Sequence, residues 1–298
     1  MSPKFAPERG LTTHTHFSEM QVVETIRELR EVLGKHRNGS RSIGFIPTMG
    51  ALHAGHGTLI GRSVSENDFT VVSIFVNPTQ FNVQADFDKY PRTLAADIHI
   101  AEEMGADLIF APSAKEMYPE GFRTFIEPGH SADPMEGSGR PGHFRGVATI
   151  VIKLLNSVAP HAAYFGKKDF QQLAVVKETV EQLNMDVSVI GVDTVREPDG
   201  LALSSRNVRL SPEARAQAPV IYRSLLLARG AYQSGERDTS TLQAITQNEL
   251  RTAPLCRVEY ATVCDSRTLQ STDRASDNAV LCIAAWFDEV RLIDNLEM

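Results

Sequence analysis

Apolar residues in the first two thirds of the chain fall into short β-rich runs that alternate with longer segments of helical spacing. The run at 69–76 is almost continuously apolar, which is typical of a strand buried on both faces. The apolar segment at 144–158 is long enough for a helix and is followed by Pro160. The pattern predicts strands at 43–46, 69–76, 107–110, 162–165 and 187–192, and helices at 22–33, 56–66, 92–104, 144–158 and 169–183.

The order of these segments predicts an α/β fold. Strands that alternate with helices favour a Rossmann-like, mostly parallel sheet with helices on both faces. Beyond about residue 195 the pattern changes to helices at 212–233 and 242–251, followed by strands at 259–263, 279–287 and 290–293. This change predicts a small α+β unit, and the turn sequence Pro198-Asp199-Gly200 marks the joint. We therefore expect a Rossmann-like domain at 1–194 and a C-terminal lid domain at 195–298.

The segment at 43–63 carries the strongest chemical signal. A short strand enters a turn at Gly50, and His53, Gly55 and His56 follow at the start of a helix. Free backbone N–H groups and the positive end of a helix dipole would converge there on a phosphate. The two imidazoles lie about one helical turn apart and can add N–H donors to the same oxygens. The segment therefore predicts a nucleotide-using enzyme.

Two glycine motifs need separate interpretations. The segment at 50–57 nearly matches a P-loop, but His56 replaces the lysine and Gly57 replaces the Ser/Thr, so an H-x-G-H nucleotidyl-transfer loop is favoured. The G-x-G-x-x-G pattern at 137–142 follows no strand and contains Pro141, which excludes a dinucleotide fingerprint. That segment is either a flap over a site or a solvated loop, and its polar groups are Glu136, Arg140, His143 and Arg145.

Two further strand ends carry candidate ligands. Asn77 and Gln80 are neutral amides that could orient a hydroxyl or carboxylate, although Asn-Pro is also ordinary turn chemistry. Lys167 and Lys168 begin a helix, where cations oppose the dipole, so an anion held between them would offset the cost. Asp169 is either a ribose ligand or a helix N-terminal acid. Because these motifs follow strand ends, we expect them to meet in one crevice.

A last candidate segment lies just beyond the joint. Ser204, Ser205 and Arg206 place two hydroxyls beside a guanidinium, which suits phosphate oxygens. A capping serine with a surface arginine explains the same residues. The position at the joint favours function, because a closing lid could bring Arg206 over a triphosphate.

The net charge and the cysteine content argue against three kinds of protein or site. The 298-residue chain has a net charge of −7, which argues against a nucleic-acid coat protein but not against a local anion site. Cys256, Cys264 and Cys282 are odd in number and form no C-x-x-C, so we expect reduced thiols rather than disulfides or a zinc site.

The hydrophobic pattern of the sequence predicts neither a membrane span nor a signal peptide. No run of about 18 apolar residues suggests a membrane span. The first 17 residues lack the apolar core of a signal peptide, so we expect a cytoplasmic protein. His14 and His16 lie in this polar leader, where a mobile tail is the expectation.

Seven stretches, in this order along the chain, resemble the pantothenate synthetase (pantoate–β-alanine ligase) family. They span about residues 43–295 and read PTMGALHAGH, VVSIFVNPTQF, KYPRTL, EGSGRPGHFRGVATIV, YFGKKDFQQL, VREPDGLALSSRN and VRLIDN. The resemblance implies a nucleotidyltransferase-like Rossmann domain that binds ATP and pantoate, a lid domain and a homodimer. It also implies that ATP and pantoate give pantoyl adenylate and pyrophosphate, and that β-alanine then displaces AMP. Mg²⁺ would accompany ATP, and we expect no metal ligands on the protein.

The resemblance also assigns residues. His53, His56, Lys168 and Arg206 would be catalytic, with His56 as the proton donor. Gln80 and Gln172 would hold pantoate, with Gln80 also near β-alanine, and Asn77 joins this group. ATP would be held by Met49, Gly50, Ala51, Leu52, His53, Ala54, Gly55, His56, Gly166, Lys167, Lys168, Asp169, Val195, Leu203, Ser204, Ser205 and Arg206.

Four positions of this chain depart from the family pattern. Gly57 replaces a larger apolar residue, Lys167 an acid, Leu203 a methionine and Asp288 a glycine. Lys167 would add positive charge beside ATP.

Two alternative functions remain open. One is another nucleotidyltransferase, which would retain the nucleotidyl group in its product, and the other is a nucleotide sensor, which would release no pyrophosphate. A tRNA-linked synthetase is disfavoured by the acidity of the chain and by the absence of an extra RNA-binding segment.

Overall fold

The computed structural model describes residues 20–37 and 41–298, so the predicted leader with His14 and His16 lies outside the described residues. The described chain forms a six-stranded and a three-stranded sheet. The strands are β1 (Gln21–Val23), β2 (Ile43–Thr48), β3 (Phe69–Ile74), β4 (Leu108–Phe110), β5 (Ala162–Gly166), β6 (Ser188–Val192), β7 (Cys256–Asp265), β8 (Ala279–Phe287) and β9 (Val290–Glu297). The helices are α1 (Ile26–Arg37), α2 (Ala54–Glu66), α3 (Gln84–Asp88), α4 (Leu94–Glu103), α5 (Ala114–Met117), α6 (Glu136–Gly139), α7 (His143–Val158), α8 (Phe170–Gln182), α9 (Pro212–Gln217), α10 (Val220–Gln233) and α11 (Thr239–Leu250).

The larger sheet is parallel and has the order β1-β4-β3-β2-β5-β6. Alternate residues of each strand point to opposite faces, and both faces are covered. Phe45 packs in the core formed with α1, α7 and α8, whereas its neighbour Ile46 packs in the core formed with α2 and α4. The prediction of a Rossmann-like sheet with helices on both faces is confirmed.

The C-terminal part forms a second, antiparallel sheet in the order β7-β8-β9. Helices α9 to α11 cover one face of this sheet, and their apolar side chains share a core with Leu281 and Ile283. A small cluster joins the two units, in which Phe170 of α8 packs against Cys264 and Cys282. Both cysteines are buried, and Cys256 is half-buried.

The structure corrects several predicted elements. The predicted helix at 22–33 is wrong at its start, because residues 21–23 form the edge strand β1 and the helix runs over Ile26–Arg37. The predicted helix at 212–233 is two helices, because Pro219 separates α9 from α10. Strand β9 extends to Glu297, four residues beyond the predicted end at 293. Among the described residues, no helix is long and apolar enough to cross a bilayer.

Candidate active site

The candidate site lies where the strand order of the parallel sheet reverses. Strand β2 pairs with β3 on one side and with β5 on the other. The chain continues from β2 to β3 in one direction across the sheet and from β5 to β6 in the opposite direction. The loops that leave the carboxyl ends of β2 and β5 therefore diverge and leave a crevice, which is where open parallel sheets bind ligands. These loops hold the His53–His56 motif and the Lys167–Asp169 segment, so the expected meeting of motifs is confirmed.

A cleft of about 860 Å³ opens at this edge of the sheet, between the parallel sheet and the C-terminal unit. Its volume lies in the range of small-molecule sites. The predicted site residues that line it are Met49, His53, Gly55, His56, Asn77, Gln80, Gly166, Lys168, Asp169, Gln172, Val195, Leu203, Ser204, Ser205 and Arg206. The predicted residues Gly50, Ala51, Leu52, Ala54 and Lys167 are not part of its lining.

The loop after β2 uses its backbone donors internally. The N–H of Gly50 donates to Thr48 Oγ1 across 3.1 Å. Ala51 and Leu52 donate to the two carboxylate oxygens of Asp97 across 3.1 and 2.7 Å. The prediction that this turn offers a set of free backbone N–H groups to a phosphate is therefore wrong at these positions.

The two imidazoles of this loop are fixed by backbone donors. His53 caps α2, and its Nδ1 accepts the N–H of Gly55 across 3.1 Å. Nδ1 of His56 accepts the N–H of His53 across 3.3 Å, and the ring centroids lie 4.2 Å apart. Because Nδ1 is an acceptor in both rings, the network assigns the neutral ring proton to Nε2 in both. Each ring thus keeps one N–H donor for the cleft.

Burial keeps these rings neutral. Desolvation, with a smaller contribution from the neighbouring His53, lowers the pKa of His56 to about 4. The pKa of His53 is also lowered, first by burial and then by the charge of Lys168. At neutral pH the pair therefore presents two N–H donors without adding two charges.

Asn77 orients the amide of Gln80. Asn77 is buried, and its Nδ2 donates to Gln80 Oε1 across 3.0 Å and to the Gly146 carbonyl across 3.2 Å. Its Oδ1 accepts a hydrogen bond of 2.7 Å from the Tyr118 hydroxyl. The Gln80 Nε2 therefore points away from Asn77, and it donates to the Met49 sulfur across 3.0 Å. Gln80 is thus held as a donor, which suits an oxygen ligand.

The two adjacent lysines occupy different environments. Lys168 lines the cleft, and its ammonium lies 4.0 Å from Asp169. The Lys167 ammonium instead pairs with Glu297 across 2.7 Å and with Asp193 across 3.0 Å, and both partners raise its pKa. Lys167 is thus paired with carboxylates and lies outside the cleft lining, and the expectations that an anion lies between the lysines and that Lys167 adds positive charge beside a nucleotide stay predictions. Its charge is already neutralised by protein carboxylates.

The C-terminal unit supplies the opposite wall. The N–H of Leu203 donates to the Val195 carbonyl across 2.9 Å, which places these two residues together. Ser204 and Ser205 follow, and Ser204 Oγ accepts the N–H of Arg206 across 3.2 Å. Within the described residues, the Arg206 guanidinium has no ion pair. It is thus available to an anion in the cleft.

The glycine-rich segment at 137–142 lies at the edge of the cleft, with its glycines, Ser138 and Pro141 outside the cleft lining. Glu136, Arg140 and His143 line the cleft, whereas Arg145 pairs with Glu127 outside it. His143 Nδ1 lies 2.8 Å from the Gln80 carbonyl, so this ring carries its proton on Nδ1. Its Nε2 then accepts from Arg140 across 3.3 Å. Burial and the Arg140 charge lower the pKa of His143 to about 4.

Glu136 also joins the two units. It accepts two hydrogen bonds from Arg291 of β9, across 2.8 and 2.6 Å, and a third of 2.9 Å from Tyr260 of β7. Its backbone N–H donates to Gln171 Oε1 across 3.0 Å. Arg291 and Gln171 were not identified from the sequence, since both contacts are with residues far along the chain. The adjacent Gln172 is the glutamine that was predicted, and both glutamines line the cleft.

Comparisons with known proteins match most of the length of the chain. The family model described as pantoate-beta-alanine ligase matches residues 21–297. Pantothenate synthetases of Chloroflexus aggregans and Acetivibrio thermocellus are 49% and 46% identical, each over 93% of this chain and 99% of the relative. The crystal structure of pantothenate synthetase from Thermus thermophilus has a TM-score of 0.88 at 46% identity, covering 93% of this chain and 99% of that one. Pantoate-beta-alanine ligase from Francisella tularensis, complexed with beta-gamma ATP and beta-alanine, has a TM-score of 0.74 at 35% identity, covering 93% and 97%. The chain belongs to the pantoate–β-alanine ligase family.

Proposed function

We propose that this chain condenses pantoate with β-alanine in two half-reactions that share the cleft. A carboxylate does not react with an amine at neutral pH, so it first needs a good leaving group. An oxygen of pantoate attacks the α-phosphorus of ATP, and pyrophosphate leaves. The β-alanine amine then attacks the acyl carbon of pantoyl adenylate, and AMP leaves as pantothenate forms. The observation that carries this proposal is the pair of neutral, Nε2-protonated imidazoles at the reversal point of the sheet.

Each group of the cleft has a role in this scheme. Negative charge grows on the bridging oxygen and on pyrophosphate in the first half-reaction, and His53, His56, Lys168 and Arg206 stabilise it. The neutral His56 ring offers its Nε2–H as a hydrogen-bond donor to a phosphate oxygen, whereas transfer of a proton would need the imidazolium form that burial disfavours. The wall formed by Val195 and by 203–205, together with Met49, Gly55, Gly166 and Asp169, holds the nucleotide.

Gln80 and Gln172 hold pantoate, and Asn77 supports this binding by fixing the Gln80 amide as a donor. We expect Gln80→Ala to depress the second half-reaction, because Gln80 also lies near β-alanine in the proposal. A Gln80→Ala variant in which only ATP affinity changed would contradict this role.

Mg²⁺ enters as part of the substrate MgATP. Among the described residues, no group of three or more His, Cys, Asp or Glu side chains is arranged to hold a metal. Asp86, Asp169 and Asp193 line the cleft without forming such a group. These separate carboxylates fit a Mg²⁺ ion whose ligands are mainly phosphate oxygens of ATP. Removing Mg²⁺ with EDTA should abolish pyrophosphate release, and added Mg²⁺ should restore it.

The larger organisation is proposed on the family resemblance. We propose a Rossmann-like domain at 1–194, a lid domain at 195–298 that closes Arg206 over ATP, a homodimer and a cytoplasmic location. The C-terminal unit has its own apolar core, separate from the two cores on the faces of the parallel sheet, and this supports the domain division. Light scattering of the purified chain tests the dimer, and cell fractionation tests the location.

Product analysis tests the proposed reaction. The chain is incubated with ATP, pantoate and β-alanine, and the nucleotide products are separated. AMP and pyrophosphate in equal amounts with pantothenate are expected. ADP would indicate acyl-phosphate chemistry and overturn the adenylate route, and a product that retains the nucleotidyl group would indicate a different nucleotidyltransferase.

A further inference from the structure

The turn between β2 and α2 has a backbone shape that its own residues do not favour. Gly50 and Ala51 are both left-handed, with φ of +81° and +51°. Glycine adopts this conformation readily, but alanine does not, because its Cβ approaches the following carbonyl oxygen. Such a residue persists only where the surroundings fix it. The turn leads directly into His53, so its shape decides where the two imidazoles lie.

Asp97 of α4 is the group that fixes this turn. Only 1% of Asp97 is exposed, and it does not line the cleft. Its Oδ2 accepts the N–H of Ala51 across 3.1 Å and its Oδ1 accepts the N–H of Leu52 across 2.7 Å. The Thr93 hydroxyl donates to the same carboxylate across 3.2 Å. Within residues 20–37 and 41–298, no lysine, arginine or histidine forms an ion pair with it.

Asp97 and Ile74 pack tightly around the turn, so steric contacts restrict its backbone as well as hydrogen bonds. A Cβ added to Gly50 would lie 2.9 Å from Asp97 Oδ2 and 3.1 Å from a methyl group of Ile74. The carboxylate therefore packs directly against the backbone that it binds. Two hydrogen bonds to adjacent N–H groups define both the position and the rotation of this peptide segment.

We propose that Asp97 is a positioning residue for the first half-reaction, an inference that rests on the proposed function. It holds the 50–52 turn so that the Nε2–H groups of His53 and His56 meet the phosphates of ATP. Misplacement of such groups by about 1 Å can cost about 100-fold in rate. The second half-reaction starts after pyrophosphate has left, so it depends less on these two donors.

The test separates the two half-reactions in the Asp97→Asn variant. The amide keeps the volume of the side chain but turns one acceptor into a donor, which faces a backbone N–H. We expect pantoate-dependent ATP–pyrophosphate exchange to fall about 10- to 100-fold, mostly in kcat. Conversion of chemically prepared pantoyl adenylate and β-alanine to pantothenate should stay within about twofold of the unaltered chain.

Asp107→Asn is the matched control. Asp107 Oδ2 likewise accepts a backbone N–H, that of Thr70 across 2.7 Å, but it lies just before β4, at the opposite end of the sheet from the cleft. Its substitution should lower stability and leave both half-reactions unchanged. Thr93→Val is a second variant, which removes only a donor to Asp97, and we expect a smaller loss confined to exchange.

The outcomes are distinct. A selective loss of exchange in Asp97→Asn, or in Thr93→Val if the first variant does not fold, supports the inference. An equal loss in both half-reactions would make Asp97 merely structural, and unchanged exchange would remove its role. Absence of exchange in the unaltered chain would overturn the proposed function and the inference together.

Discussion

The backbone N–H of His53 donates to Nδ1 of His56 across 3.3 Å. This bond joins the start of α2 to the ring that lies three residues later, and it determines the tautomer of that ring. In the His56 ring, Nδ1 therefore has a structural role as a hydrogen-bond acceptor, and Nε2–H is left for binding in the cleft.

The two halves of the His56 ring can be separated by substitution. Asn can place Oδ1 near the position of Nδ1 but supplies no donor at the position of Nε2. We expect His56→Asn to fold with nearly unchanged stability and to lose about 10²- to 10³-fold in ATP–pyrophosphate exchange. His56→Ala should lose exchange and also the cap acceptor, which costs about 1 kcal/mol in the free energy of unfolding. Near-normal exchange in His56→Asn would remove the Nε2–H from the mechanism.

Acid should destabilise the protein through its buried imidazoles. The pKa values of His56 and His143 are about 4 in the folded protein, below the ordinary value of 6.5. The unfolded chain therefore binds more protons between pH 6.5 and 4, and stability falls as the pH falls through this window. The loss between pH 7 and 5 should be on the order of 2 kcal/mol per ring.

Urea unfolding of the unaltered chain and of His56→Asn at pH 7 and pH 5 measures this contribution. The variant should lose less stability on acidification than the unaltered chain does. An equal loss in both proteins would show that His56 does not titrate in this window.

The adjacent lysines should differ sharply in function. Lys168 lines the cleft, whereas Lys167 is paired with Asp193 and Glu297. Lys168→Ala should lower exchange about 10²- to 10³-fold, because one donor to the developing charge is lost. Lys167→Gln, the matched control, should lower it less than about fivefold, since its ion pairs are partly exposed and contribute little. Similar losses in both variants would place Lys167 back in the nucleotide site.

The Glu136–Arg291 pair should contribute to stability as well as to the shape of the cleft. Both side chains are mostly buried, and the pair joins the segment at 136–139 to β9. Glu136→Ala should lower the free energy of unfolding by about 2 kcal/mol, because the Tyr260 hydroxyl and one Arg291 nitrogen lose their acceptor, while Arg291 keeps its ion pair with Glu259. Arg62→Ala breaks the exposed Arg62–Glu66 pair and should cost at most about 1 kcal/mol. Equal costs in the two variants would contradict this account.

Two glycines should respond in opposite directions to an added methyl group. Gly61 lies in α2, and a Cβ there would meet nothing within 4 Å. Gly61→Ala should raise the free energy of unfolding by about 0.5–1 kcal/mol, because alanine loses less backbone freedom on folding. At Gly44 a Cβ would lie 2.1 Å from Ser63 Oγ, so Gly44→Ala should cost about 1–3 kcal/mol. Thermal unfolding of both variants measures the difference, and a stabilised Gly44→Ala would refute the packing argument.

Local pattern was sufficient to predict most of the elements of the described chain. The buried run at 69–76 and the long apolar helix at 144–158 have periodicities that depend only on neighbouring residues. Strand β1 was missed because it has three residues and is followed closely by a helix. Its place in the sheet comes from pairing with β4, which lies more than 80 residues away.

The sequence by itself determined which loops would carry the chemistry, because the strand-to-helix order places them at one edge of a parallel sheet. Tertiary structure decided what each polar group in those loops does. Asp97 takes up the N–H groups that the motif alone predicts to be free, and Glu297 neutralises Lys167. These partners lie about 45 and 130 residues from the groups that they bind. Hydrogen bonds and ion pairs depend on distance in space, whereas periodicity reports only on neighbours along the chain.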